Sequence, residues 1–405
     1  MEIRAVPPTN NMALSHIKVL DLSRVRAGPT ACRQLSDWGA DILMIEHPND
    51  DGGLAGPGGR DGCDFQNLHR NKRSMTLDLK SPQGIEILKK LVKDADVLIE
   101  NFRPDVKTRL GIDYDSLRPI NPRLVYASIS GFGQTGPYAS RPGIDQIAQG
   151  MGGLMSLTGY PDGQPGAGPL RVGIPIADLC SGLFAAMGIL VALQERERSG
   201  MGQFVETSLL ASQLFMLDFQ SARWLMDGVV PEPCGNFHPT DARTGAFRTA
   251  DGYIVLGAWG DSLWKRFCDA IDAPEMIPLG AELAIGPNRA ANLPRFIAEV
   301  EKRLASKGSV EWVELLNKAG VPSGPIYTLD QAFADPQVKH LGIVQSVESP
   351  TRGTLNMVGQ PWTMSRTPSA LRSAAPARGQ HCKEVLEQLG YTTQQIAAMK
   401  DAGVI

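Results

Sequence analysis

The stretch GIPIADLCSGLFAAMGILVALQERERSGMGQFVETSLL, from Gly173 to Leu210, constrains this chain more than any other. From Leu179 to Leu193 only Ser181 and the bare Gly182 and Gly188 interrupt an apolar run. Such a run has no polar face to turn to water, so it predicts a helix buried in a core. It is shorter than the about 20 residues a bilayer span needs. The charged end, Gln194 to Arg198, and the Ser-Gly-Met-Gly turn after it predict where the helix stops. One carboxylate, Asp178, stands at its mouth, and two readings of it are open. Asp is a preferred N-cap, because its side chain accepts orphan amide hydrogens of the first turn. A carboxylate held rigid at a buried helix start, near amide donors and shielded from bulk water, is also equipped as a nucleophile.

A length of 405 residues suggests two or three domains, or one large α/β body with an insertion. A formal net charge of −3, with no basic stripe and no polybasic amphipathic helix, argues against nucleic-acid and membrane partners. Residues 1–13 read as a loose tail without the apolar core of a secretion leader. The six cysteines are scattered with no CxxC pair, and the six histidines show no ligand spacing. No metal site is expected, and a reducing, cytoplasmic compartment fits. Cys32 and Cys180 lie in apolar surroundings and read as small core residues.

Strands are predicted at Ile17–Leu22, Ile42–Glu46, Ser74–Leu79, Asp96–Glu100 and Leu124–Ile129, and helices near Thr30–Trp38 and Pro82–Asp94. Asp50 to Gly62 reads as a mobile loop. Strands alternating with helices predict a doubly wound parallel sheet, which binds ligands beyond its carboxyl edge. The pattern breaks at Val229–Gly245, and strands around an Asp-Gly turn and further helices follow. The expected division is therefore a large domain from 14–228 and 320–405, and a smaller α+β domain from 229–319. The dinucleotide GxGxxG, Walker, HExxH and GxSxG motifs are absent.

Laid out in order, the chain resembles the class III CoA-transferase family, also called CaiB/BaiF or formyl-CoA transferase-like. The resemblance rests on VLDLSRVRAGP (Val19–Pro29), WGADILMIE (Trp38–Glu46), NKRSMTLDLK (Asn71–Lys80), DVLIENFRP (Asp96–Pro104) and ISGFGQTGPY (Ile129–Tyr138). It continues through GLMSLTG (Gly153–Gly159), the Asp178 unit, GAFRTADGYIV (Gly245–Val255), VPSGP (Val321–Pro325), ADPQV (Ala334–Val338) and APARGQH (Ala375–His381). It implies a Rossmann-like large domain built from both chain ends, a smaller middle domain and an interlocked, ring-like homodimer.

The same resemblance implies an enzyme that moves CoA between an acyl-CoA donor and a carboxylic acid acceptor. Asp178 would be the nucleophile, passing through an anhydride and an aspartyl-CoA thioester. CoA enters as substrate, and no tightly bound cofactor is implied. Arg26 and Ala27 match the first strand–helix loop at the CoA site. Lys72 and Arg73 would meet CoA phosphates, Asn101 and Phe102 would hold adenine or pantetheine, and Arg109 would reach a phosphate. Lys72, Arg73 and Arg109 also read as solvated surface charges, and Phe102 as core packing.

Two departures from the family pattern carry information. Racemases of this fold carry a Gly-His-Asp element where this chain has Gly143–Ile144–Asp145. Ile144 cannot exchange a proton, which argues against a two-base acyl-CoA racemase or isomerase. A CoA-binding protein without turnover is the other alternative. Arg26 and Arg243 stand where the family often has uncharged residues. A guanidinium binds carboxylate through two parallel hydrogen bonds, so one or both are candidates for the distal carboxylate of a dicarboxylic acid. An ion pair is the competing reading for each, with Asp241 beside Arg243.

Overall fold

The computed structural model describes residues 12–49, 58–286 and 288–405. The chain divides into two compact units. The larger takes Met1–Gly152, Gly173–Ser221 and Leu341–Ile405, and the smaller takes Gly153–Val172 and Ala222–His340. The smaller unit thus reaches beyond the expected 229–319 at both ends and adds the 153–172 segment. A backbone bond from Gly235 N–H to the Gly159 carbonyl, 2.9 Å, ties that segment in.

In the larger unit six parallel strands form one sheet in the order β3-β2-β1-β4-β5-β6. They are β1 (Lys18–Asp21), β2 (Asp41–Glu46), β3 (Lys72–Thr76), β4 (Val97–Glu100), β5 (Val125–Ser130) and β6 (Phe204–Ser208). A strand alternates its side chains between faces, and a parallel sheet buries both. One face carries Val19, Ile42, Val97, Ile99, Val125 and Ala127, packed with buried residues of the helices Ala27–Ser36 and Ile176–Ser199. The other carries Leu20, Leu43, Ile45, Leu98 and Tyr126, packed with the Pro82–Val92 helix and with Val385, Leu386, Met399 and Val404 near the C-terminus. The strand order reverses between β1 and β4, so the crevice of this sheet opens between the loops that follow those two strands.

Five expected strands are present. β3 begins and ends earlier than 74–79 because the chain turns at Asp78, whose carbonyl accepts the Ser81 N–H before the Pro82 helix. β6 was not expected. The Asp50–Gly62 loop falls mostly on Asp50–Pro57, outside the described residues, and Gly59–Asp61 forms a short 3-10 turn.

The long helix runs Ile176–Ser199 and ends on Gly200 at φ +75°, as its charged end and Gly turn predicted. The expectation of complete burial is corrected. Ala177, Ser181, Ala185, Ile189, Ala192 and Arg196 are buried, but Leu183, Met187, Leu190 and Val191 are 46, 54, 42 and 65% exposed. One apolar face of this helix has no cover among the described residues.

The smaller unit is α+β. Antiparallel β7 (Thr244–Arg248), β8 (Tyr253–Gly257) and β9 (Ser323–Pro325) join a core of Phe247, Trp264, Phe267, Phe296 and Trp312. The Trp264 indole N–H donates to the Met276 and Ile277 carbonyls, and a Cβ at Gly280 would sit 2.2 Å from that nitrogen. Only glycine allows that approach.

Candidate active site

The long helix starts on Pro175, whose side chain has no acceptor for the orphan amides of the first turn. Asp145, the first residue of the Asp145–Met151 helix, takes them instead. Its Oδ1 accepts the Ala177 N–H at 2.8 Å and the Asp178 N–H at 3.3 Å, and its Oδ2 accepts from Gln149 at 2.7 Å. Asp178 is therefore the third helical residue and not the cap. No donor among the described residues holds its carboxylate. Burial and the neighbouring Asp145 carboxylate push its pKa up, and Arg26 draws it partly back, leaving it at about 6.

Arg26, whose charge acts on Asp178, comes from the loop after β1. Asp21, at the end of that strand, accepts the Ser23 N–H at 2.9 Å and its hydroxyl at 2.5 Å. The next turn forces Val25 to φ +64°, a left-handed conformation that a β-branched residue rarely adopts. Gly28 then fits against Ser23, where a Cβ would lie 2.1 Å from the Ser23 Cβ. The turn leaves Arg26 at the start of the Ala27–Ser36 helix, with Nη2 donating to Asp64 Oδ2 at 2.6 Å. Ala27 itself is a core residue, so only its backbone borders the site. Its carbonyl lies against Gly182, one turn along from Asp178, where a Cβ would be 2.6 Å away.

A second feature lies at the carboxyl ends of β1 to β4. A cavity of about 340 Å³ is lined by Leu22, Arg24, Ile45, Glu46, His47, Leu77, Asp78, Leu79, Lys80, Phe102, Val106, Arg109 and Leu110. It joins an apolar floor to three cationic side chains. Phe102 is half-buried with Arg24 6.0 Å from its ring centre, and Arg109 keeps 71% of its side chain exposed. Phe102 and Arg109, both expected from the resemblance to meet CoA, line this one cavity. Arg24 faces this cavity while Arg26, two residues on, acts on Asp178, so one short loop serves both places.

The other candidates are spent elsewhere. Lys72 is fully buried, its ammonium 2.9 Å from Asp21 Oδ2 and 3.3 Å from His69 Nδ1, and it cannot meet a phosphate. Arg73 binds Asp41 through Nε and Nη2 at 2.8 and 2.6 Å and also reaches Glu384. Asn101 spends its side-chain amide on the Arg24 backbone, accepting its N–H at 2.8 Å and donating to its carbonyl at 2.7 Å. It fastens the two loops of the crevice together. Arg243 is 5% exposed and clamped by Asp241 through Nε and Nη2, with Asp261 on Nη1 at 2.8 Å. The ion-pair reading holds for it, and the dicarboxylate role expected of Arg243 is withdrawn. Ile144 is 62% exposed beside Asp145 and supplies no proton carrier.

The profile of CoA-transferase family III matches residues 14–382. The chain belongs to CoA-transferase family III. The succinate–glutarate CoA-transferase of Agrobacterium fabrum is 38% identical to it, over 94% of this chain and 97% of the relative. The human succinyl-CoA:glutarate CoA-transferase is 34% identical, over 98% and 90% respectively. A crystal structure of a CaiB/BaiF family protein from Brucella suis superposes with a TM-score of 0.81, at 34% identity, covering 94% of this chain and all of that one.

This CoA-transferase moves CoA from a thioester to a carboxylic acid. Five features of its candidate site were not picked out from sequence: the cap by Asp145, the Arg26–Asp64 pair, and the cavity positions Arg24, His47 and Lys80. His47 receives the Asn49 N–H on Nδ1 at 3.1 Å and turns Nε2 toward Asp78, 3.5 Å away. The signal for Lys80 was available, because it follows the strand whose carboxyl end opens on the crevice.

Proposed function

We propose that this CoA-transferase works through a covalent Asp178 intermediate and takes a dicarboxylic acid as acceptor. A carboxylate oxygen of Asp178 attacks the thioester carbonyl. The carbon–sulfur bond breaks, CoA leaves as thiolate, and the acyl group stays as a mixed anhydride. The thiolate then attacks the Asp178 carbonyl, and the donor acid departs as carboxylate. The acceptor carboxylate attacks the aspartyl-CoA thioester, giving a second anhydride and free thiolate. Attack of that thiolate on the acceptor's acyl carbon completes the new thioester and returns Asp178. No proton is consumed, and one thioester is made for each one broken.

The observation that carries this reading is the division of labour at the helix start. Asp145 accepts the amides, so the oxygens of Asp178 have no donor among the described residues. A carboxylate with a pKa near 6 is ionised at neutral pH and more nucleophilic than an ordinary one. Partial burial limits the water that would hydrolyse an anhydride. For CoA itself, the cavity beside Phe102 offers the cations Arg24, Lys80 and Arg109 for phosphates and an apolar wall for the base. The crevice position favours the same assignment.

The dicarboxylate part rests on Arg26 and on the names of the succinate and glutarate enzymes that share the fold. The charge of Arg26 acts on Asp178, and Arg26 carries donors beyond the one given to Asp64. We further propose a homodimer of the interlocked kind, in which a second copy covers the exposed face of the long helix. That face borders a groove of about 270 Å³ lined by Trp38, Leu183, Met187, Leu190, Trp362 and Met364. Uncovered apolar surface of this sort marks an association site. A reducing cytoplasmic setting suits the six free cysteines.

The test is direct. The enzyme is incubated with succinyl-CoA, digested and read by mass spectrometry. A CoA adduct on the Asp178 peptide, discharged by glutarate, is the expected result. Turnover with no adduct at Asp178 at any time would overturn the mechanism, and solvent deuterium entering the α-carbon without transfer would favour an isomerase.

A further inference from the structure

Several arginines of the larger unit are held edge-on, two donors to one carboxylate. Arg70 binds Asp37 through Nε and Nη2 at 3.1 and 2.6 Å, and Arg73 binds Asp41 in the same way. Arg60 sets Nη1 and Nη2 on Glu46. Those forks are closed, and each buttresses the fold. Arg26 is different. Asp64 takes one bond from Nη2, and Nε and Nη1 donate to none of the described residues. The pair is partly exposed, 23% for Arg26 and 38% for Asp64. Screened pairs of this kind add little to stability, so the stability of the fold gives this one little purpose.

Its position supplies a purpose. Asp64 lies in the first turn of the Cys63–His69 helix, anchored by the buried Phe65 and Leu68. Arg26 opens the Ala27–Ser36 helix, which is packed on the Asp178–Gly182 turn closely enough to demand Gly182. The guanidinium is therefore gripped from the side of Asp64, at a helix start pressed against Gly182 one turn from Asp178, and its charge acts on that carboxylate. The charged groups around it are Asp64, Asp178, Arg33 and, across Asp178, Asp145.

We infer that Asp64 is a positioning residue that holds one end of the Arg26 guanidinium so that its free donors receive the distal carboxylate of a dicarboxylic acid. This rests on the reading of Asp178 as nucleophile and of the acceptor as a dicarboxylate. A guanidinium on a flexible stem loses freedom when it binds, and a fixed carboxylate at its far end removes that cost beforehand. Asp64 also offsets the charge of Arg26, which limits how far Arg26 can stabilise ionised Asp178.

The experiment compares wild type, Asp64→Asn, Asp64→Glu and Arg26→Gln as intact full-length enzyme with one CoA donor. Succinate and glutarate serve as dicarboxylate acceptors, and propionate and butyrate as monocarboxylates. The expected result is a fall of tenfold or more in the dicarboxylate-to-monocarboxylate ratio of kcat/KM in Asp64→Asn and in Arg26→Gln, carried by the dicarboxylate KM. Asp64→Glu should recover part of the ratio. The acid limb of kcat/KM should move to higher pH in Arg26→Gln, which loses a cation, and to lower pH in Asp64→Asn, which unmasks one. A purely structural role for Asp64 would not shift the two limbs in opposite directions. A selective wild type whose ratio survives Asp64→Asn overturns this inference alone. A wild type that uses monocarboxylates as readily as dicarboxylates overturns it together with the reading beneath it.

Discussion

Replacing Asp178 with Asn should stabilise the protein while ending its chemistry. Asp178 has its pKa lifted from 3.8 to about 6 by burial and by Asp145. The folded state therefore holds a proton that the unfolded chain has already lost between those two values. Stability falls as pH rises through that window, and above pH 6 the whole penalty is present. A shift of this size corresponds to about 3 kcal/mol at pH 7.5. It shrinks to about 1 kcal/mol at pH 4.5, where the unfolded carboxylate is itself partly protonated. Asn has the same shape and no charge, so the variant escapes the penalty.

The measurement is a pair of thermal or urea unfolding series from pH 4.5 to 8. The variant should be roughly 5 °C more stable at pH 7.5, with the gap closing steadily toward acid. In wild type the acid limb of kcat/KM should fall near the same pH at which the gap opens, because one carboxylate governs both. A gap that does not change with pH, or a variant less stable than wild type at pH 7.5, would refute the argument. Either result would mean that Asp178 is held by favourable contacts that the geometry does not contain.

The remaining predictions separate structural charges from binding charges. Lys72→Met leaves Asp21 buried without its partner and should cost about 3–5 kcal/mol of stability, while the KM for CoA thioesters of the folded enzyme stays put. Lys80→Ala and Arg109→Ala should do the reverse, raising that KM by about tenfold at low salt and less at high salt, with unchanged unfolding curves. Arg243→Gln opens the buried Asp241 clamp and should destabilise by about 3–5 kcal/mol, read as a lower melting temperature, without moving the ratio between dicarboxylate and monocarboxylate acceptors.

The sheet was legible because its interior strands are buried on both faces and so read as short apolar runs. IKVLDL, DILMIE and DVLIE announce themselves. β6 does not, because it is an edge strand and half of it faces away from the core. Glu206 and Thr207 break its pattern, and Glu206 turns its carboxylate to the Gln134 N–H. Asp178 was legible because it is the one charge before a long apolar run. Its companions were not. Asp145 lies 33 residues away from it in sequence, and Asp64 lies 38 from Arg26. Nothing in the local pattern of either marks it as a partner. The same blindness explains the misplaced binding residues. Lys72, Arg73 and Asn101 have the chemistry to hold a cofactor, but the fold presses a carboxylate or a loop backbone onto each, and that pairing is written only in three dimensions. Arg243 was the exception, since its clamp Asp241 stands two residues away and could be weighed from the start.

The helix start also shows why two aspartates are needed where a stable fold would be content with one. A carboxylate that accepts first-turn amides is stabilised in its charged form and has its lone pairs engaged. Such a group makes a good cap and a poor nucleophile. If Asp178 capped its own helix, its pKa would lie low and its oxygens would point at the backbone. Handing the cap to Asp145 satisfies the amides of Ala177 and Asp178 and leaves the second carboxylate free. It also brings two negative charges close together, which lifts the pKa of Asp178 and costs folding energy at neutral pH. Arg26 tempers that repulsion without removing it, because Asp64 already holds part of its charge. On the mechanism proposed above, the balance keeps Asp178 ionised at neutral pH yet basic enough to attack, and an enzyme built this way is expected to be less stable than its Asp178→Asn variant.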